Sequence, residues 1–197
     1  VLPSEQEAHD VPGRFDAEIL NVHPEDLLEQ ADGILSAVKG LDERAIVTGG
    51  GVGVSATAGC LMTSEGILST GITTSHGIGL QVTIDVDGEH TSSYQGQSSR
   101  TKMEDVPSCV ERAVHWAQIT QNPLRVDSGA EEAPVLFTSE GFSPLFSMVV
   151  PPALTGEKMV RNESFWSEKM GQQVLHESLS ITDNGLLPGG MASGSRD

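Results

Sequence analysis

Aromatic residues are scarce, with five Phe, two Trp and one Tyr in 197 residues. A core therefore cannot rest on large rings and has to be assembled from Val, Ile, Leu and Ala. A chain of this length still buries roughly 70% of the surface its unfolded form exposes, so it needs neither disulfides nor a metal to hold a core. Cysteine is nearly absent. Cys60 and Cys109 have no paired spacing; one disulfide could form, but two unclustered thiols fit a reducing compartment better. Basic residues are few as well. Eleven Lys and Arg face 28 Asp and Glu, a formal charge of −17. This balance disfavours direct nucleic-acid binding and repels acidic membrane surfaces. The scarcer cation is Lys, four against seven Arg. An acidic, Lys-poor surface suits solubility in high salt, where like-charge repulsion is screened, and equally suits an ordinary acidic cytosolic protein. No apolar run approaches a membrane span, and no signal peptide is visible. The chain starts at Val1 and stops at Asp197, just after a Gly/Ser-rich run, so it reads as part of a longer protein.

Periodicity organises what remains. Residues 1–20 read as an extended lead-in. From Pro24 to Lys39, Leu27, Leu28, Ala31, Ile34, Leu35 and Val38 fall on one face of a 3.6-residue period. Pro24 suits the first helical turn and Gly40 the stop. Val52, Val54, Ala56, Ala58, Cys60 and Met62 then alternate with small or polar residues, and Ile78, Leu80, Val82, Ile84 and Val86 alternate without a break. Period two predicts strands with one buried face. Asp87-Gly88 is a two-residue hairpin signal between strands 78–86 and 89–96, and Ser64-Glu65-Gly66 marks a turn one hairpin earlier. A second helix is predicted over 106–119, with Val106, Val110, Ala113, Val114 and Ala117 inward, Asp105 as its cap and Pro123 as its end. Residues 122–133 read as a linker. Beyond it come a short strand at Pro134 to Phe137, a helix over 143–150 ending near Pro151-Pro152, a strand over 173–182, and a loop from 184 onward.

The candidate motifs are weak. Gly49-Gly50-Gly51-Val52-Gly53 follows an apolar run and formally fits a dinucleotide fingerprint, but that chemistry needs a helix whose N-terminus holds the pyrophosphate. Period two continues to Met62 instead, so a bulged, glycine-rich strand with closely approaching backbones is expected. His176-Glu177 lacks a second His at i+4, where Ser180 stands, so no zinc-protease helix is formed. His76 and His90, on neighbouring strands, could meet but are expected to face solvent. His115-Trp116 is expected to pack beside the second helix's apolar stripe. Cys60, on the apolar side of its strand, is expected to be a small core residue. Asn162-Glu163-Ser164 fits a glycosylation pattern, which is noise in a cytosolic chain. On motifs alone there is no active site.

Several ordered blocks do carry a resemblance. Val135-Leu136-Phe137-Thr138-Ser139-Glu140, then Ser164-Phe165-Trp166, then Lys169-Met170-Gly171-Gln172-Gln173-Val174, then Leu179-Ser180-Ile181-Thr182-Asp183-Asn184-Gly185 resemble the start of the C-terminal domain of TldD/PmbA proteins, the family also named modulator of DNA gyrase. Thr63-Ser64-Glu65-Gly66-Ile67 and the order helix, meander, helix, linker are similar to the first part. The resemblance covers roughly residues 15–197. It implies a cytoplasmic peptidase system in which a TldD-type subunit holds zinc through His-Glu-x-x-x-His and a PmbA-type subunit pairs with it. Counted back from Ser164-Phe165, that motif falls over Ser147 to Pro152, where Ser147, Met148 and Pro152 replace its His, Glu and His. None is a normal zinc ligand or a general base, and Pro151-Pro152 is expected to break the helix.

The expectation is an α+β chain: an antiparallel meander with packed helices over 1–121, a linker over 122–133, and the start of a second, β-rich domain over 134–197. The resemblance implies a PmbA-like, non-catalytic subunit of a hetero-oligomeric metallopeptidase system acting on small or unfolded peptides. No catalytic, cofactor-binding or metal residue is carried over, and zinc is expected in a TldD-type partner. Two rivals stand beside it: a self-sufficient metallopeptidase with its site in a C-terminal half outside this sequence, and a peptide-binding or gyrase-modulating interaction protein, which could use exposed strand edges.

Overall fold

The computed structural model describes residues 9–103, 106–124, 129, 132 and 134–194. Three antiparallel strands, β1 (Ala45–Met62), β2 (Leu68–Val86) and β3 (Glu89–Ser99), form a meander with β2 in the centre. Helices α1 (Pro24–Leu41) and α2 (Pro107–Ile119) pack against this sheet, and a short 3₁₀ helix (Ala17–Asn21) precedes α1 within the expected extended lead-in. The α+β class expected from the periodicities is the one observed.

The β2–β3 connection is the expected two-residue turn. Asp87 and Gly88 both have positive φ, 54° and 86°, as a turn matched to the strand twist requires. At the other end β1 carries a bulge at Thr48: Val47 pairs with Val82, but Gly49 pairs with Gln81. The extra residue explains the apolar spacing. Val47 and Val52 are five apart and would face opposite sides of a regular strand. With the bulge, both pack on the core face with Leu80 and Val82. At Gly50, φ is 132°, and a Cβ would stand 2.2 Å from the Gly79 carbonyl oxygen. The expected close approach of backbones is therefore real, and no helix follows the glycines.

Ile78, Leu80, Val82 and Ile84 meet Ile34 and Val38 of α1 and Cys109, Val110, Ala113, Val114 and Ala117 of α2. Burying a side chain such as Leu80 stabilises the fold by roughly 1.5–3 kcal/mol. Of the predicted inward face of α2, Val110, Ala113, Val114 and Ala117 are buried, and Val106, at the N-cap, is partly buried. The cap expected at Asp105 lies outside the described residues, and Pro107 opens the helix. The predicted face of α1 is wider than the surface it covers: Leu28 and Leu35 remain 66% and 48% exposed. Cys60 is exposed, not a core residue. It lies on the core side of β1, but residues 55–62 extend beyond the helices and are all exposed.

The contacts divide the described residues into one unit of 9–124 with 184–194 and a second reaching to Asp183. In the first, Gly189 donates to the Pro12 carbonyl at 2.9 Å, and the Arg100 guanidinium donates to the carbonyls of Gly190 and Met191. In the second, α3 (Ser139–Leu154) and α4 (Gly156–Val160) are the only elements among the described residues. Thr138 caps α3, its hydroxyl accepting from the Gly141 N–H at 3.1 Å. The strands expected at 134–137 and 173–182 do not form, so this part is helical and irregular where a β-rich start was expected. Alternation is not sufficient for a strand, which needs a neighbour to pair its backbone groups, and the described residues of this unit offer none. Nor do Pro151 and Pro152 break α3, which runs to Leu154. They fall in its last turn, and the carbonyls they leave unpaired, at Ser147 and Met148, belong to exposed residues that water can reach.

Candidate functional site

Ser147 and Met148 are exposed on α3, and Pro152 is half-buried near its end. Beside Ser147 and Pro152 lies an open depression of about 530 Å³ lined by Ser147, Pro151, Pro152, Thr155, Glu157, Lys158 and Glu163. Its walls are set locally. The Thr155 hydroxyl donates to the Pro152 carbonyl at 3.0 Å and ends α3, while the Glu163 N–H donates to the Lys158 carbonyl at 2.9 Å and folds the chain after α4 back. Arg161 holds Glu157 at 2.9 Å across one turn.

A zinc ion does not fit this donor set. The three positions offer a hydroxyl, a thioether and a ring with no donor atom, and Glu157 already faces a guanidinium. No imidazole or thiolate lines the depression. Among the described residues no group of three or more His, Cys, Asp or Glu could hold a metal ion. What the depression can supply is hydrogen bonding and mixed charge around an apolar, proline-lined floor.

The other residues singled out in the sequence do not converge. His176 lies in a turn, its Nδ1 2.7 Å from the Ser178 hydroxyl. His76 and His90 do not meet: His76 is in register with Ser99, and His90 with Asp85 at the far end of the ladder. His90 pairs with Asp85 at 3.3 Å and faces solvent as expected. The ring of His115 meets Trp116 edge to face at 6.0 Å.

His76 faces inward, contrary to expectation, and is 2% exposed. Its Nδ1 accepts from the Met103 N–H at 3.0 Å, which leaves Nε2 to donate to Gln30 Oε1 at 3.1 Å. Burial, and secondarily the Lys102 charge, hold the imidazole below its ordinary pKa. It backs a depression that Asp26, Glu29, Gln30 and Lys102 also line. The parity of β2 contains the missed signal, since residue 76 shares a face with Ile78 and Leu80.

Residues 130–197 match the model of the PmbA/TldA metallopeptidase C-terminal domain. The uncharacterized protein MJ0231 of Methanocaldococcus jannaschii is 29% identical over 175 residues, 89% of this chain and 40% of the relative. TldE from Thermococcus kodakarensis superposes with a TM-score of 0.72 at 25% identity, over 87% of this chain and 38% of TldE. TM0727 of Thermotoga maritima MSB8, solved under the name of a DNA gyrase modulator, superposes with a TM-score of 0.81 at 19% identity, over 98% of this chain and 44% of that one, a likeness of fold. Over residues 130–197 the chain matches the TldD/PmbA family's C-terminal domain, and its fold is similar to those of TldE and TM0727. It spans about 40% of the length of these relatives.

Proposed function

We propose that this chain belongs to a PmbA-like, non-catalytic subunit of a TldD/PmbA-type metallopeptidase system that acts on small or unfolded peptides in the cytoplasm. One observation carries the reading. At the place that counting from Ser164-Phe165 assigns to the family's metal motif, α3 carries Ser147, Met148 and Pro152, and the open depression that Ser147 and Pro152 line contains no imidazole and no thiolate. The similarity to TldE supports the branch, and with it a TldD-type partner that supplies zinc. No helix among the described residues is long and apolar enough to cross a membrane, and two free cysteines, Cys60 and Cys109, accord with a reducing compartment.

Elemental analysis of zinc, with hydrolysis of an unfolded peptide, tests the proposal on the full chain alone and mixed with a TldD-type subunit. The expected outcome is no stoichiometric zinc and no cleavage alone, and chelator-sensitive cleavage in the mixture. One zinc per chain in the isolated protein would overturn it.

A further inference from the structure

β3 pairs with β2 only as far as His76. Past that point residues 14–16 lie beside β2. The Thr74 N–H donates to the Arg14 carbonyl at 3.0 Å. The buried Thr74 hydroxyl accepts from the Asp16 N–H at 2.9 Å and donates to the Arg100 carbonyl at 2.8 Å. The backbone of Arg14 is thus fixed to the sheet. Its side chain turns over β2 at Gly71, where the guanidinium lies 3.5 Å from the place a Cβ would occupy.

There it lines a depression of about 370 Å³ whose other walls include Thr57, Gly59, Gly71 and Thr73. Thr57 pairs with Thr73 and Gly59 with Gly71. By strand parity all four face away from the side that carries Ile78, Leu80 and Val82. Among the described residues the guanidinium has no counter-charge. Arg14 Nε is buried with no acceptor among the described residues, and none of their ion pairs includes Arg14. Between Ala45 and Ile84 the only carboxylate is Glu65, in the β1–β2 turn. In a chain with 28 acidic residues, a fixed guanidinium with a buried, unanswered donor, flanked by hydroxyls, is an acceptor site left open.

We propose that this depression binds a carboxylate, held by the Arg14 guanidinium with the hydroxyls of Thr57 and Thr73 as further donors. A planar fork of N–H groups matches two coplanar oxygens. The net charge of −17 opposes a doubly charged phosphate more than a singly charged carboxylate.

Titration of the ¹⁵N-labelled full chain with sodium acetate, at ionic strength held constant with sodium chloride, tests this through the arginine Nε–Hε signals. The Arg14 signal, assigned by its loss in Arg14→Gln, is expected to move saturably with acetate. Thr57→Val, on the exposed strand, is expected to weaken the response about tenfold, the loss of one hydrogen bond to a charged group. An unmoved Arg14 signal, or the same movement with chloride alone, would overturn the site. Tighter saturation with inorganic phosphate than with acetate would overturn the carboxylate assignment. Should Arg14→Gln fail to fold, the wild-type and Thr57→Val titrations decide the matter.

Discussion

His76 in the central strand and Gln30 in α1 are joined by a hydrogen bond of 3.1 Å from Nε2, and the Met103 N–H on Nδ1 fixes the tautomer that makes it. The arrangement requires a neutral ring. Asp26 and Glu29 line the same depression, and burial first, with the Lys102 charge second, lowers the pKa. The unfolded chain then takes up the proton first, so stability is complete above the ordinary histidine value of about 6.5 and falls as pH drops below it. Urea midpoints at about pH 7.5 and about pH 5.5 should differ in that direction. His76→Ala should flatten the difference and cost roughly 1–3 kcal/mol, because the Met103 N–H loses its acceptor.

Gly50 should be irreplaceable where its neighbours are not. A Cβ at residue 50 would meet the Gly79 oxygen at 2.2 Å and the Leu80 Cα at 2.8 Å, both backbone atoms that cannot move aside. Gly51 and Gly53 have open space around the same point. Gly50→Ala is therefore expected to destabilise by about 3 kcal/mol or more, and Gly53→Ala by less than about 0.5 kcal/mol. Thermal unfolding of the two variants side by side checks the contrast.

How far the sequence could be read follows from what each pattern depends on. The α2 stripe, the alternation of β2 and Asp87-Gly88 are local signals, and each produced its element. The bulge at Thr48 was foreshadowed by the glycines, and its position follows from the parity of Val47 against Val52. The alternation at 173–182 misled because a strand is settled by its neighbour, which lies elsewhere in the chain. Burial misled in the same way at Leu28, Leu35 and Cys60, where the periodicity is correct but none of the described residues covers the face. For the candidate site, Ser147, Met148 and Pro152 could be placed by counting, whereas the depression between α3 and the turn after α4 depends on a tertiary fold. Arg14 gave no signal at all, since its role comes from β3 ending before β2 does.

The core should respond at Leu80, which is 2% exposed and belongs to the cluster that both helices share with the sheet. Leu80→Ala removes buried volume that rigid neighbours on the sheet cannot refill, at an expected cost of about 2–5 kcal/mol. Leu28→Ala, on the exposed side of α1, should change stability by less than about 0.5 kcal/mol. Chemical denaturation with an unchanged m-value would assign the difference to the native core.

Asp42 ties the end of α1 to α2. Its carboxylate accepts from Arg44 at 2.7 Å and from the Gln118 amide at 3.1 Å. The Arg44 hydrogen bond first, and Gln118 second, hold it well below the usual carboxylate range. A depressed carboxylate contributes stability that is present above its unfolded pKa of about 3.9 and lost as pH falls through the folded value. Because Arg44 is half exposed, solvent screens the pair, and Asp42→Ala should cost roughly 1 kcal/mol near neutral pH. The variant should lose less further stability than the wild type on acidification below about pH 4, as urea denaturation at the two conditions would show.

Ser147 decides between a chain that performs chemistry and one that shapes a cavity. It is the only hydroxyl among the three residues at the motif's place, and it is exposed on α3 beside the depression. A nucleophile or metal ligand lost from a catalytic unit lowers turnover by orders of magnitude, whereas a residue that only lines a wall changes kcat/KM slightly and through KM. Ser147→Ala in the full chain, mixed with a TldD-type subunit and an unfolded peptide, is therefore expected to leave kcat within about twofold of the wild-type mixture. The substitution should also be neutral for folding, because alanine is the stronger helix former at an exposed position. A collapse of kcat with the helix intact by circular dichroism would assign the chemistry to this chain and withdraw the non-catalytic reading.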